Sequence, residues 1–313
     1  MSKLLSAGVV GNVSNNKRKN DNERKLFIFL MLLPAVLFLL AFLYYPIEET
    51  FRLSLMKSTG MDKPTFYGLG NYIKLFHDAE FHAGLIHVFQ WAFLSVLIQI
   101  PIAFFIAYSV VYYKNRLTRR LRSVYYLANV LPTAIVSMLG MFIFSSATGV
   151  ITTLAQKLGF QSISDIDWLG NQYLAFWTVF IVATWTYTGF PIIYLMARIE
   201  QIPNDIKEAA QLDGVTGWTY ARYIVIPMCS YQIRILAILA TIGSLKLFDI
   251  VQMMTKGGPG NATKTLATIL YNQGFWNWKY GEAAAVGVVI LILSLIFTVL
   301  QFSIKIGKKN EAE

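Results

Sequence analysis

The chain has 313 residues, of which 56% are hydrophobic and only 14% are charged, and its mean hydropathy is +0.51. Soluble domains carry about 25% charged residues, so this composition excludes an ordinary soluble protein and indicates a polytopic membrane protein. The net charge of +10 could suggest nucleic-acid binding, but in a membrane protein basic loops on one side of the bilayer explain it better. The single cysteine, Cys229, excludes an internal disulfide framework.

Apolar stretches follow a polar N-terminal tail. Residues 1–25 are rich in Ser, Asn and mixed charge, which predicts a disordered tail; the long apolar run behind it is not typical of a cleaved signal peptide. Six stretches are each long enough to cross a bilayer as a helix of about 20 residues. They cover residues 26–45, 84–112, 123–146, 172–197, 226–253 and 283–306. The prediction is an all-α membrane domain over residues 26–306, with a short tail at 307–313.

The basic residues are distributed unevenly between the two sides of these spans. Seventeen Lys and Arg residues fall on the side that holds both termini and the segments 113–122 and 198–225, against eight on the other side. Cytoplasmic loops carry the excess of Lys and Arg. Both termini and residues 198–225 are therefore expected in the cytoplasm.

A polar segment interrupts the apolar pattern between the fourth and fifth spans. Its sequence, EAAQLDGVTGWTYARYIVIP, runs from Glu208 to Pro227. Asn204 is expected to cap a first short helix, and Gly214 to end that helix in the left-handed conformation. Thr216 is expected to cap a second short helix that stops at Pro227. The segment is either an amphipathic connector resting on lipid headgroups or a docking element for a soluble partner.

The spacing in this segment resembles the coupling-loop motif of ABC importer permeases. That motif reads Glu-Ala-Ala, three residues, Gly, nine residues, Ile, one residue, an aliphatic residue and Pro. The matching positions are Glu208, Ala209, Ala210, Asp213, Gly214, Ile224, Ile226 and Pro227, with Ile226 where the family often has Leu. The resemblance implies the MetI-like fold with six transmembrane helices. It also implies that this loop sits in a cleft of a separate ATPase subunit, with Glu208 facing a basic residue there.

A second stretch narrows the resemblance to carbohydrate-type permeases. It runs from Phe248 to Phe275, and its matching positions are Phe248, Asp249, Thr255, Gly257, Gly258, Pro259, Thr263, Tyr271 and Phe275. The resemblance implies a prokaryotic plasma membrane location and an oligosaccharide or related substrate. The implied partners are a second related permease forming a heterodimer, two ATPase subunits that bind ATP and Mg, and an extracytoplasmic solute-binding protein. No cofactor and no enzymatic activity are expected in this chain.

The family places its substrate near mid-membrane, on residues of the fourth and fifth spans. The corresponding positions here are Trp185, Tyr187, Thr188, Gly189, Ser244, Lys246, Leu247 and Asp249. These stretches offer aromatic faces for sugar rings and hydrogen-bonding groups for hydroxyls. Leu247 stands where some relatives carry a polar amide, which leaves the identity of the sugar open.

Several of these residues also have a purely structural interpretation. Lys246 and Asp249 are spaced to form an ion pair on one helix face, and they could instead contact substrate or a partner permease. Arg234 is expected to reach the headgroups or make a structural contact. Trp185 and Tyr187 could be ordinary helix-packing or interfacial aromatics.

Other motifs carry no function in this interpretation. GPGNATKT, at Gly258–Thr265, has Thr263 where a phosphate-binding loop needs its second Gly, so no ATP hydrolysis is expected. His77, His82 and His87 recur every five residues, which does not place metal ligands on one helix face.

Three rival functions stay open. A secondary ion-coupled transporter would need inverted repeats and mid-membrane carboxylates, of which only Asp249 is a candidate. The others are a non-transporting membrane component and an ABC permease for peptides or amino acids.

Overall fold

The computed structural model describes residues 24–60, 63–113 and 116–303, and contacts divide the chain into two units, residues 1–53 and 54–313. Most of the predicted N-terminal tail and all of the 307–313 tail lie outside the described residues. The described part of the first unit belongs to one helix, α1 (Arg24–Ser54), which contains a π-helical turn at Leu40–Tyr44. Helix α1 therefore extends well beyond the predicted end at residue 45.

The second unit is built from helices and one very short hairpin. Strands β1 (Met56–Lys57) and β2 (Thr65–Phe66) pair antiparallel, a small addition to the predicted all-α fold. The helices are α2 (Gly70–Phe76), α3 (Ala79–Tyr113), α4 (Arg116–Val130), α5 (Thr133–Ile143), α6 (Val150–Lys157), α7 (Gln161–Ser164), α8 (Ala175–Glu200), α9 (Asn204–Leu212), α10 (Gly217–Met228), α11 (Ser230–Leu245), α12 (Asp249–Met254), α13 (Leu266–Tyr271) and α14 (Tyr280–Ser303).

Four helices of the described residues are long and apolar enough to cross a membrane, namely α1, α3, α8 and α14. The pairs α4/α5 and α10/α11 pass the same test only when each bent pair is counted as one span, which brings the number to six. The predicted span over 123–146 is not one continuous helix, because α4 and α5 are bent by 114° around Pro132. Proline has no N–H to donate, and its ring clashes with the preceding helical turn.

The predicted span at 226–253 is also not one continuous helix. It is bent by 73° where α10 meets α11 at Cys229, and helical structure stops again between Leu245 and Asp249. Pro227 does not end α10 as predicted, since the helix continues to Met228. A π-helical turn at Ala221–Val225 comes just before this proline. Proline has no backbone N–H, so a helix tolerates it where that N–H is not needed for a hydrogen bond.

Helix α3 runs through all three buried hydrophobic clusters of the second unit. Phe81 and Val88 pack in the first cluster with residues of α13 and α14, and Trp91 packs in the second with residues of α8 and α12. Farther along, Ala103 and Tyr108 belong to a third cluster with residues of α8, α9 and α10. One helix thus connects the end of the unit near residues 204–227 with the end near α13.

Candidate functional site

The loop segment, residues 204–227, folds as two helices joined by a glycine turn. Helix α9 begins at Asn204 itself and Pro203 occupies the cap position, so the predicted Asn204 cap is wrong. Gly214 has a φ of +73°, as predicted for a residue that ends a helix in the left-handed region. Thr216 occupies the N-cap position of α10, but its side chain makes no capping hydrogen bond. The next residue, Gly217, has a φ of +54° and supplies a second left-handed position.

One side of the first loop helix is exposed and partly apolar. Glu208, Ala209 and Asp213 are exposed, and beside them Leu212 leaves 90% of its surface uncovered. These four residues are the exposed patch. Leu212 therefore offers apolar surface to a partner beside two carboxylates. Leu212 was not predicted from the motif.

The other predicted residues of the loop segment face inward or lie at its end. Ala210 is buried and packs in the cluster with Ala103 and Tyr108, so its small size serves the chain's own packing. Ile224 is half-buried against the same cluster, whereas Pro227 is exposed. The loop segment therefore has an inner, packed side and an outer side that presents the exposed patch.

Two tyrosines of α3 hold the loop segment at Gly217. The Tyr108 hydroxyl donates a hydrogen bond to the Gly217 carbonyl at 2.6 Å. The Gly217 N–H donates to the Tyr112 hydroxyl oxygen at 3.0 Å. From α9, the Lys207 ammonium lies 4.8 Å from the centre of the Tyr112 ring, within the range of a cation–π contact.

A cavity of about 300 Å³ lies beside the break between α11 and α12. We call it the helix-break cavity. It is lined by Trp91, Ser95, Gln99, Ile100, Asn129, Tyr187, Phe190, Pro191, Leu236, Leu239, Ala240, Gly243, Ser244, Lys246, Leu247, Phe248 and Asp249. Its volume is at the lower end of the range seen for ligand pockets.

Five of the eight predicted substrate-pathway residues line this cavity, namely Tyr187, Ser244, Lys246, Leu247 and Asp249. The other three do not. Trp185 is half-buried against the cluster that contains Trp91. Thr188 is fully buried and donates its hydroxyl to the Thr184 carbonyl of its own helix. Gly189 lies against α4, where an added Cβ would stand 2.6 Å from the Tyr125 carbonyl oxygen.

Lys246 and Asp249 lie on opposite sides of a helix break rather than on one helix face. Helix α11 ends at Leu245 and α12 begins at Asp249, so the i,i+3 spacing does not place the two side chains on one helix face. Among the described residues these two side chains form no ion pair within 4.0 Å. The Lys246 ammonium follows the C-terminus of α11, and the Asp249 carboxylate lies at the N-terminus of α12. The helix dipole favours a positive charge at the first position and a negative charge at the second. The Thr265 hydroxyl donates a hydrogen bond to the Leu247 carbonyl at 2.7 Å. This bond gives a partner to a backbone carbonyl that lies in the break between the two helices.

Helix α3 supplies cavity residues that the sequence interpretation missed. Trp91 is only 2% exposed, and its indole N–H is buried with no hydrogen-bond partner in the described part of the chain. Gln99 contacts the Thr184 hydroxyl at 3.4 Å, and Ser95 lies 3.5 Å from the Ser244 hydroxyl. Asn129 of α4 completes the polar lining. The cavity thus combines aromatic faces with amide and hydroxyl groups.

The motifs set aside in the sequence have structural roles. Within Gly258–Thr265, Lys264 pairs with Glu80 at 2.7 Å, and Thr263 bonds the Gly258 carbonyl at 2.9 Å. His87 contacts the Lys264 carbonyl at 3.0 Å. No group of three or more potential metal ligands occurs in residues 24–60, 63–113 or 116–303. Arg234 donates to the Gln301 carbonyl of α14 at 2.6 Å, a structural contact of the kind expected.

Replacing Gly189 with leucine is expected to destabilise the packing of α8 on α4. An added Cβ would stand 2.6 Å from the Tyr125 carbonyl oxygen and 2.7 Å from the Asn129 Cβ. Overpacking of this kind costs about 1–3 kcal/mol. Thermal unfolding of the detergent-solubilised protein measures the loss, with Gly243→Ala as control, because a Cβ there meets nothing within 4 Å. Equal melting temperatures for both variants would contradict the close packing.

Comparison with known proteins places the chain in one family. The family described as "Binding-protein-dependent transport system inner membrane component" matches residues 99–305, which is more than half of the chain. The lactose transport system permease protein LacF of Rhizobium radiobacter is 32% identical over 292 residues, covering 92% of this chain and 96% of LacF. The trehalose/maltose transport system permease protein MalF of Thermococcus litoralis is 29% identical over 284 residues, covering 90% and 93%.

A solved structure shares the fold. It is a bacterial ABC transporter involved in the import of the acidic polysaccharide alginate, with a TM-score of 0.77 at 22% sequence identity, covering 93% of this chain and 100% of that one. The chain belongs to the binding-protein-dependent transport system inner membrane component family, the permeases of ABC importers, and has their MetI-like fold. The predicted family and fold class are confirmed.

Proposed function

We propose that this chain is the transmembrane permease subunit of an ATP-driven importer for a neutral oligosaccharide. The observation that carries the carbohydrate assignment is the helix-break cavity, whose lining pairs aromatic rings with uncharged hydrogen-bonding groups. Two relatives carry names that refer to lactose and to trehalose/maltose, which supports the same substrate class.

The cavity has the chemistry that a sugar ring needs. Tyr187, Phe190 and Phe248 offer flat aromatic surfaces to the C–H faces of the ring. Gln99 and Asn129 offer amide groups that both donate and accept hydrogen bonds with hydroxyls.

The charges of the cavity favour a substrate without net charge. Lys246 and Asp249 both line it and contribute one positive and one negative group. A polyanionic substrate would be attracted by the ammonium and repelled by the carboxylate, whereas hydroxyl groups can bond to both. Direct contact of Lys246 and Asp249 with substrate is part of the proposal.

The loop segment is proposed to dock a separate ATPase subunit. Its exposed patch offers the uncovered Leu212 beside Glu208 and Asp213, which suits the helix-in-groove mode of recognition. The proposed assembly contains a second related permease, two ATPase subunits that hold ATP and Mg, and an extracytoplasmic binding protein. Both termini and the loop segment lie in the cytoplasm of a prokaryotic cell, as the distribution of basic residues suggests.

The proposed mechanism is alternating access. ATP closes the ATPase dimer and brings the loop segments together, so that the cavity opens outward and accepts the sugar from the binding protein. Hydrolysis returns the inward-facing state. The chain itself performs no hydrolysis, because the reacting groups belong to the ATPase subunits.

Family membership weighs against an ion-coupled transporter, whereas a peptide or amino-acid permease is the remaining rival. Purification of the tagged chain with its native partners, reconstitution in liposomes and uptake of labelled substrates test the proposal. The binding protein is included in the assay. ATP-dependent uptake of an oligosaccharide, with no uptake of peptides, is the expected result. Uptake of peptides alone would overturn the substrate class, and ion-driven uptake without ATP would overturn the importer assignment.

A further inference from the structure

Helix α3 touches both parts of the candidate site. Near its C-terminal end, Tyr108 and Tyr112 are hydrogen-bonded to the loop segment. Toward its middle, Trp91, Ser95 and Gln99 line the helix-break cavity. One continuous helix therefore joins the loop segment to the cavity.

The contact at the loop segment involves both backbone polar groups of one residue, Gly217. The Gly217 carbonyl accepts from the Tyr108 hydroxyl as well as from the Ala221 N–H of its own helix. The Gly217 N–H donates to the Tyr112 hydroxyl oxygen. The two rings stack with centroids 5.1 Å apart, and Tyr108 stacks in turn on Phe104 at 6.1 Å. Lys207 adds a contact from α9 to the Tyr112 ring. Gly217 cannot move along the helix without breaking these contacts or carrying α3 with it.

The cavity end of this connection contains a place where α3 can adjust. A π-helical turn spans Ser95–Gln99, and both of its terminal residues line the cavity. Such turns leave the regular hydrogen-bond ladder and occur often at functional sites. A displacement applied at Tyr108 and Tyr112 would reach this turn through residues 100–107, which are helical throughout.

We propose that Tyr108 and Tyr112 are positioning residues that pass the movement of the loop segment to the cavity through α3. The proposal rests on the proposed function, because it takes the loop segment to be driven by an ATPase. It goes beyond docking, since it concerns the next step, the transfer of movement into the membrane domain. That step is assigned to the hydroxyl groups of Tyr108 and Tyr112 and to the backbone of Gly217.

Removing the hydroxyls while keeping the rings tests this step. The variants are Tyr108→Phe, Tyr112→Phe and the double variant, each purified as the complete assembly with its native partners. The matched control is Tyr113→Phe, since the Tyr113 hydroxyl makes no hydrogen bond within residues 24–60, 63–113 and 116–303, although its ring packs on the Tyr112 ring. The readouts are ATPase co-purification, ATP hydrolysis and substrate molecules imported per ATP hydrolysed.

The double variant is expected to retain its ATPase and to hydrolyse ATP, while import per ATP falls about tenfold, as the loss of two hydrogen bonds suggests. Tyr113→Phe is expected to behave as wild type. Unchanged import per ATP in the double variant would overturn the proposal, as would an equal fall in the control. If the double variant does not assemble, import per ATP is measured on Tyr112→Phe instead, because this variant leaves the buried Tyr108 intact. Unchanged import per ATP in Tyr112→Phe would then overturn the proposal. Absence of an ATPase from the wild-type preparation would instead contradict the proposed function.

Discussion

We expect the double variant Glu208→Lys, Leu212→Asp to lose its ATPase during purification. Both side chains are exposed on the outer side of α9, and Leu212 has 90% of its surface available to a partner. Burying a leucine contributes about 1.5–3 kcal/mol, so its replacement by a carboxylate should weaken binding by about tenfold to a hundredfold. Reversing the charge at Glu208 adds repulsion toward a basic partner residue. The ratio of ATPase to permease after affinity purification measures the effect.

The control for this experiment is Leu158→Asp, which alters another exposed leucine outside the loop segment. It should leave the ATPase ratio at the wild-type value. The chain should also unfold at the same temperature in both variants, because neither change touches the buried clusters. If the double variant retained its ATPase fully, the exposed patch would not be the docking surface.

Filling the helix-break cavity with Gly243→Trp is expected to abolish uptake while leaving the ATPase bound. Gly243 lines the cavity, and an added Cβ meets no atom within 4 Å, so the indole can extend into the open space. Its bulk would occupy much of a volume of about 300 Å³ and exclude a sugar ring. Substrate uptake and ATPase co-purification are measured on the same preparation.

The companion variant Gly243→Ala distinguishes a blocked cavity from a disturbance of helix α11. Alanine adds only the Cβ, for which there is room, so its uptake should stay close to wild type. Normal uptake by the tryptophan variant would show that substrate does not pass through this cavity. A loss of uptake in both variants would point to the helix itself.

The spans could be predicted from hydropathy, but not all of their breaks had a local signal. Apolar length locates α3, α8 and α14 within a few residues, because crossing a bilayer needs a long apolar helix. The bend at Pro132 had a visible signal in its proline. The break after Leu245 had none, because the interrupted backbone is supported by Thr265, which lies far along the chain. A contact of that kind depends on the tertiary fold and leaves no local pattern.

The loop segment was predicted more fully than the cavity. Spacing alone located its two helices and the left-handed Gly214, because helix ends follow local rules. The exposure of Leu212 could not be predicted, since the motif does not show which side packs inward. The cavity residues on α3 were not predicted, because the family resemblance implies substrate contacts only in the fourth and fifth spans. Trp91 and Gln99 reach the cavity only through helix packing.

Photo-crosslinking from position 212 tests whether the loop segment docks a separate ATPase. A photoreactive amino acid replaces Leu212 in one preparation and Tyr173, which is 84% exposed outside the loop segment, in another. Crosslinking is carried out in native membranes, and the adducts are identified by mass spectrometry. An ATPase subunit is expected to be attached at position 212 and none at position 173. Lipid adducts alone at position 212 would contradict this docking and favour a connector resting on the membrane surface.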